Sequence, residues 1–468
     1  MKKILFLLML PIIAFSQNDY YYSVKQTSDS SFISTGVTTS LGTTSPRLLI
    51  RKVKFDFDNM DQSPGWYNTY NLETSSEGFC IIESNDGGYV ATGTSYGFGG
   101  VAKIYVVKTD SQGSIIWEKV YGQSGFQEGL SIENTNDGGF IVAGYKERFS
   151  GGLSDDIYLL KLDANGDSTW AKQLTKQGMQ RCYSVKQTSD GGYILGGMKQ
   201  GFYTDFYIVK TNINGDTLWS KSYNNSSPNI SLIPKEIHET SDGGFVLGGA
   251  AYILKTDSLG NTIWFRNYFP NNQGMCFASP PYGARWQSIV PTSDNGFVVC
   301  GRKGNASGGK VTYVMKIDNL GDTIWAKTHQ FSNGCEDEGF SIQETFENNF
   351  IVSGRYIFAP YTSTTAYPPN LVLLNNNGNL YSPSTNTDIA VHSKNQAFKI
   401  YPNPTNENIT ISVNNFTGNI QTEVYDLIGN RLRTTNETTI SLRNYSKGIY
   451  ILKVAYGDKV EEVKVIKD

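Results

Sequence analysis

The chain has 468 residues, too many for one ordinary domain, and its 18% charged residues and formal charge of −3 leave no basic field for nucleic acid or an anionic membrane. Aromatic residues reach 13%, with 29 Tyr and 48 Gly, a balance that fits a turn-rich β protein. Five Cys make neither a disulfide framework nor a metal-binding spacing, and three His show no ligand pattern.

Residues 1–16 read as a secretory signal peptide. Lys2-Lys3 opens it, an apolar stretch fills 4–13, and Ala14-Phe15-Ser16 gives a small-x-small cleavage site before Gln17. The apolar stretch is too short to span a bilayer, so an exported protein without a transmembrane segment is expected.

From Gln17 onward a unit of four short β runs recurs. Its clearest copy is residues 181–223, RCYSVKQTSDGGYILGGMKQGFYTDFYIVKTNINGDTLWSKSY. Strands are expected at 183–188, 193–195, 206–210 and 217–221, turning through Asp190-Gly191-Gly192 and Asn214-Gly215. These turn pairs supply the positive φ angles of tight hairpins. The first turn of each copy carries Asp29, Asp86, Asp137, Asp190, Asp242, Asp294 and, degenerate, Glu347, at spacings of 57, 51, 53, 52, 52 and 53. Six copies place a Trp on the fourth strand: Trp66, Trp117, Trp170, Trp219, Trp264 and Trp325. Four strands in a period near 50 predict an all-β, seven-bladed β-propeller over 17–381, with an open solenoid as the competing architecture. The end copies are weak, as expected where a ring is sealed. The first has Ser30-Ser31 in place of the glycines, and the seventh has Asn348-Asn349.

The pattern Asp110-x-x-Gly113-x-x-x-Trp117, repeated at Asp318, Gly321 and Trp325, resembles the tryptophan-docking motif of pyrroloquinoline-quinone-type propellers, shortened by one residue. It is also similar to the Asp-box of sialidase-like propellers, with a different spacing. Both resemblances imply a Trp wedged between neighbouring blades, a structural role. Residues 20–381 further resemble DGG-repeat propellers, whose motifs carry no activity.

Residues 382–397 are polar and aperiodic and read as a linker. Beyond it, strands are expected at 409–413, 422–425, 440–442, 449–454 and 460–466, which suits an immunoglobulin-like β-sandwich over 398–468. Tyr401-Pro402-Asn403-Pro404, Val424-Tyr425-Asp426-Leu427-Ile428-Gly429, Lys447-Gly448-Ile449-Tyr450 and Lys464-Val465-Ile466-Lys467 resemble the type A C-terminal sorting domain of type IX secretion substrates. The resemblance implies recognition by the type IX translocon and its surface peptidase. It also implies delivery to the outer-membrane surface or the medium of a Gram-negative bacterium.

Length variation gathers in the second-to-third and inter-blade loops, so one face is expected to work. There the candidate ligand-binding residues are Tyr282, Arg285, Trp286, Arg302, Arg355 and Tyr361. Tyr and Trp offer flat faces to sugars or peptides, and the arginines fork onto carboxylate or sulfate. Loop packing and local pairing are the competing roles. No catalytic set stands out: GxSxG is missing, and His238 reads as a satisfied channel residue. Glu236, Glu239, Glu336 and Glu338 are the candidate glycosidase acids. No cofactor is expected. Calcium is considered at Asp163-x-Asn165-Gly166-Asp167 and at Asp56, Asp58 and Asp61, although the closing Glu of an EF-hand loop is missing. Cys80, Cys182 and Cys300 are expected in the core, while pairing of Cys276 with Cys335 stays open.

The reading is a non-catalytic binding protein for polysaccharide or peptide, exported by type IX secretion. A glycan-cleaving hydrolase and a structural or adhesive surface component are the alternatives.

Overall fold

A computed structural model describes residues 20–38, 45–56, 61–63, 65–122, 125–148, 155–201, 204–224, 233–249, 252–268, 288–304, 310–329, 337–355, 370–380, 398–401, 405, 407–413, 418–426, 430–456 and 459–467. They fall into two compact units, Met1–Pro383 and Ser384–Asp468. Every regular element among them is a strand, and no helix is long and apolar enough to cross a membrane.

In the first unit the described strands form seven successive antiparallel sheets. Five have four strands in sequence order, the first has five and the last has three. Each sheet is therefore a local meander. In the copy that reads most clearly, the strands are Met179–Gln187, Tyr193–Gln200, Thr204–Thr211 and Thr217–Tyr223. The first begins earlier than the two-residue alternation predicts. The register slips by one residue between Cys182 and Ser184, which leaves Tyr183 as a bulge and breaks the alternation that marks a strand. The same slip recurs in five other opening strands, at Tyr22, Phe79, Leu130, Lys235 and Phe340.

The repeated Asp works inside its own copy. Asp190 Oδ1 accepts the Thr188 hydroxyl at 2.6 Å and the Gly192 amide at 2.9 Å, and Lys210 from the third strand donates to Oδ2 at 2.8 Å. Five more Asp–Lys pairs repeat the arrangement: Asp29–Lys52, Asp86–Lys108, Asp137–Lys161, Asp242–Lys255 and Asp294–Lys316. Gly191 sits at φ 81° beside the Asp, and in the first copy Ser30 holds the same left-handed conformation at φ 62°.

The Trp reaches out of its copy. Trp117 Nε1 donates to the Ala164 carbonyl of the next sheet at 3.2 Å, and its ring lies 6.2 Å from that of Phe140. Trp66, Trp264 and Trp325 donate in the same way to Ser111, Asn319 and Asn376. The indoles are half-buried and cover the rims of the cores.

Those cores lie between consecutive sheets. One cluster joins Ile141, Ala143, Ile157 and Leu159 of the third sheet to Val185, Tyr193, Leu195 and Val209 of the fourth. Another joins Val24 and Phe32 of the first sheet to Ile351 and Leu373 of the last. The ends of the array thus pack as ordinary neighbours, and among the described residues no strand is exchanged between them.

In the second unit, sheets of three and four antiparallel strands share one core of Ile409, Ile411, Val424, Ile440, Leu452, Val454 and Val465. The strands Phe398–Tyr401 and Arg431–Thr435 add to the five that the sequence predicts.

Candidate functional site

The seven opening strands converge on a cavity of about 750 Å³, a volume that includes solvent at its mouth. Counting back from the repeated Asp places its wall in three tiers. The bulged residues form the first tier: Tyr22, Phe79, Leu130, Tyr183, Lys235 and Phe340. Tyr22 contacts Phe79 and Phe340, with centroids 5.9 and 6.1 Å apart, so this tier is an aromatic collar. One residue further along each strand stand Ser23, Cys80, Ser131, Ser184, Glu236, Ser288 and Ser341. Two residues beyond them stand Lys25, Ile82 and Lys186 on the wall, with Glu133 and His238 at the same register.

The bulge creates this order. By shifting each strand by one residue, it turns the collar, the small polar residue and the charged residue toward the same space. The small residues also stitch the sheets together. The amides of Val185, Ile237 and Val24 donate to the hydroxyls of Ser131, Ser184 and Ser341 at 3.1, 3.2 and 3.4 Å. Cys80 lines this wall and is only partly buried, whereas Cys182 and Cys300 are core residues as expected.

Glu236 is the centre of charge. It accepts the Ser288 hydroxyl, stands 3.2 Å from His238 Nε2 and 3.9 Å from Lys25 Nζ. Burial works to raise its pKa, but His238 and the ammoniums of Lys25 and Lys186 outweigh it and hold the carboxyl well below the usual range. Burial lowers His238, against the pull of Glu236. His238 Nε2 stands close to Glu236 without meeting the geometry of a hydrogen bond. Lys186 donates to Glu133 at 2.5 Å. Burial opposes its charge, yet Glu133 and Glu236 hold it above the ordinary lysine value.

Of the expected loop residues, Arg302 lies within the described side chains and pairs with buried Glu338. Tyr282, Arg285, Trp286 and Tyr361 lie outside the described residues, as does the side chain of Arg355. Cys276, Cys335 and Glu336 lie outside them too. The remaining candidate acids occupy separate networks: Glu236 faces the cavity, Glu239 accepts Ser189 of the preceding sheet, and Glu338 takes Arg302. At the Asp163 turn, Oδ1 accepts the amides of Asn165 and Asp167, and Asp167 pairs with Lys119. The Asp163 carboxylate thus holds the turn and that of Asp167 takes a lysine of the preceding sheet; no metal-binding group occurs among the described residues. Asp58 and the side chains of Asp56 and Asp61 lie outside them.

The cavity residues were not singled out in the sequence, apart from Glu236, His238 and Cys80, the last expected in the core. The signal was present all the same. Positions four, six and seven residues before each repeated Asp hold the three tiers, and charged residues stand there in some copies and not in others.

Residues 399–468 match the family of secretion system C-terminal sorting domains, which makes the chain a type IX secretion substrate. The tail indicates export to the cell surface or the medium and interaction with the type IX machinery. In that segment Gly448 and Lys467 are described, as are the backbones of Tyr401 and Lys464, whereas Pro402, Asn403, Pro404 and Gly429 lie outside. Among solved structures, puromycin hydrolase is similar at 11% identity and TM-score 0.51, over 94% of this chain and 59% of that one. A protein of unknown function from Bacteroides caccae has 13% identity and TM-score 0.39 over 60% of this chain and 90% of its own. An alpha-L-arabinanase from Penicillium chrysogenum has 11% identity and TM-score 0.44 over 66% and 98%. At these identities the likeness to puromycin hydrolase concerns the fold alone. No curated protein matches the chain.

Proposed function

We propose that residues 17–381 form a closed seven-bladed β-propeller, released from a signal peptide at 1–16. A linker at 382–397 joins it to an immunoglobulin-like sorting domain at 398–468. After passage through the outer membrane the propeller binds a polysaccharide or peptide without turning it over. The contacts of Val24 and Phe32 with Ile351 and Leu373 support the closed ring.

The observation that carries the binding reading is the solvent-open cavity, an aromatic collar above a polar floor. Concave sites with an apolar wall and a few convergent polar groups are where proteins hold small ligand parts. The floor is poor in acid–base chemistry. Glu236 is kept ionised by its neighbours, so it lacks the raised pKa of a general acid. Ser288 donates to Glu236 and not to an imidazole, so it lacks the base that activates a serine nucleophile.

The test is the purified chain on glycan and peptide arrays, followed by a turnover assay on each captured ligand. Capture with the ligand recovered intact is expected. Release of cleaved fragments would establish the hydrolase reading instead, and silence on both arrays would favour the adhesive one.

A further inference from the structure

The small polar tier of the cavity carries hydroxyl groups that its own hydrogen bonds do not use up. Ser131, Ser184 and Ser341 each accept a backbone amide from the adjacent sheet, and none of their hydroxyl protons goes to another described residue. Ser23 lines the same wall, and its hydroxyl makes no hydrogen bond to a described residue. A hydroxyl has one proton and two acceptor sites, so this tier can both donate and accept toward the cavity. The charged groups, by contrast, are engaged with their neighbours. Lys186 donates to Glu133 at 2.5 Å, Lys25 stands 3.9 Å from Glu236, and Lys235 lies over the Tyr183 ring, 5.5 Å from its centroid. Both signs thus stand close together around one small space. An added anion would approach Glu236 and Glu133, an added cation would approach the lysines, and either would disturb pairs held at reduced dielectric. In the collar Tyr22 is half-buried, while Phe79 and Phe340 beside it are 7% and 1% exposed, so Tyr22 offers the open part of the aromatic wall.

We propose that this cavity receives one uncharged sugar ring, a neutral hexose in chemical class. Its hydroxyls exchange hydrogen bonds with Ser23, Ser131, Ser184 and Ser341, as donors and as acceptors, and its apolar C–H face lies against Tyr22. Such a ring matches the double capacity of the serine tier and brings no charge among the groups below it. The inference rests on the binding reading and names the ligand class of the same site.

Titration calorimetry of the full chain tests it, with glucose, galactose and mannose as probes and the uronate and amino sugar of each as charged comparators. At least one neutral hexose is expected to bind, at least about tenfold more tightly than its own uronate or amino sugar. Ser23→Ala should weaken that hexose about fivefold, the worth of one neutral hydrogen bond, at an unchanged urea midpoint. Ser23→Leu fills the wall and should abolish binding; where it does not fold, Ser23→Ala decides. No heat with any of the three hexoses, equal affinity for a charged comparator, or normal hexose binding by the deciding variant would each overturn the proposal. Array capture of peptides or charged glycans alone would overturn this ligand class while leaving the binding reading intact. Silent arrays with normal hexose titration would do the reverse.

Discussion

The Val24 amide donates to the Ser341 hydroxyl, 3.4 Å away in space and 317 residues along the chain. Gln26 strengthens the same seam. Its amide donates to Gln343 Oε1 at 2.9 Å and its own Oε1 accepts the Phe346 amide at 2.8 Å. Side-chain hydrogen bonds and the small apolar core of Val24, Phe32, Ile351 and Leu373 join the two ends, in place of a shared sheet.

Gln26→Ala should therefore cost about 1–3 kcal/mol, since it leaves the Phe346 amide without its partner in a part-buried seam. The urea midpoint measures it. A shift indistinguishable from that of an exposed Gln→Ala control would mean that the seam adds nothing to stability.

The Trp contacts make a second prediction. Trp117→Ala removes a half-buried ring from Phe140 and a hydrogen bond to Ala164, and should cost about 2–4 kcal/mol. Gly166→Ala should hurt from the other side of the contact. Its φ is 75°, and a Cβ there would stand 2.9 Å from the Trp117 ring. If the two substitutions act through one contact, their thermal shifts will not add.

The repeated Asp–Lys pairs predict acid sensitivity. Burial tends to raise Asp86, Asp137, Asp190 and Asp242. Lysine, hydroxyl and backbone amide partners overcome it and hold each at about 2, below the ordinary carboxylate value. A carboxyl depressed on folding stabilises the native state above its unfolded pKa and loses that stabilisation as pH falls through the native one. Urea midpoints should thus be level from pH 7 to about 5 and fall between about pH 4 and 2. Asp190→Asn should flatten part of that fall. A profile unchanged by the substitution would remove these pairs as its cause.

Arg302 and Glu338 give a fourth test. Glu338 is 3% exposed, so Arg302→Ala would strand a buried carboxylate and should destabilise by about 2–4 kcal/mol. Loss of ligand capture at an unchanged midpoint would instead make Arg302 a contact residue.

Removal of residues 399–468 should abolish export. The signal peptide read at 1–16 would still carry the chain across the inner membrane, so periplasmic accumulation is expected, read by fractionation of cells and medium. Continued appearance of the truncated chain outside the cell would show that another segment directs secretion.

The recurring unit, its Asp turns, the Trp of the fourth strand in six copies and the sorting tail were all legible in the amino-acid order. Each is local: a turn needs its Asp and a left-handed residue within a few positions, and a meander pairs only with itself. The partner of Asp190 was less visible, because Lys210 stands on the third strand and its role appears only when that strand folds back. The cavity was hidden for a stronger reason. A one-residue slip in the opening strand reverses which side chains face inward, and alternation alone does not reveal it. Lys25, Lys186 and Glu236 are unremarkable apart. Only the convergence of separate copies brings Lys25 and Lys186 close enough to join His238 in holding the Glu236 carboxyl below its usual range, and only there do the serines line one cavity.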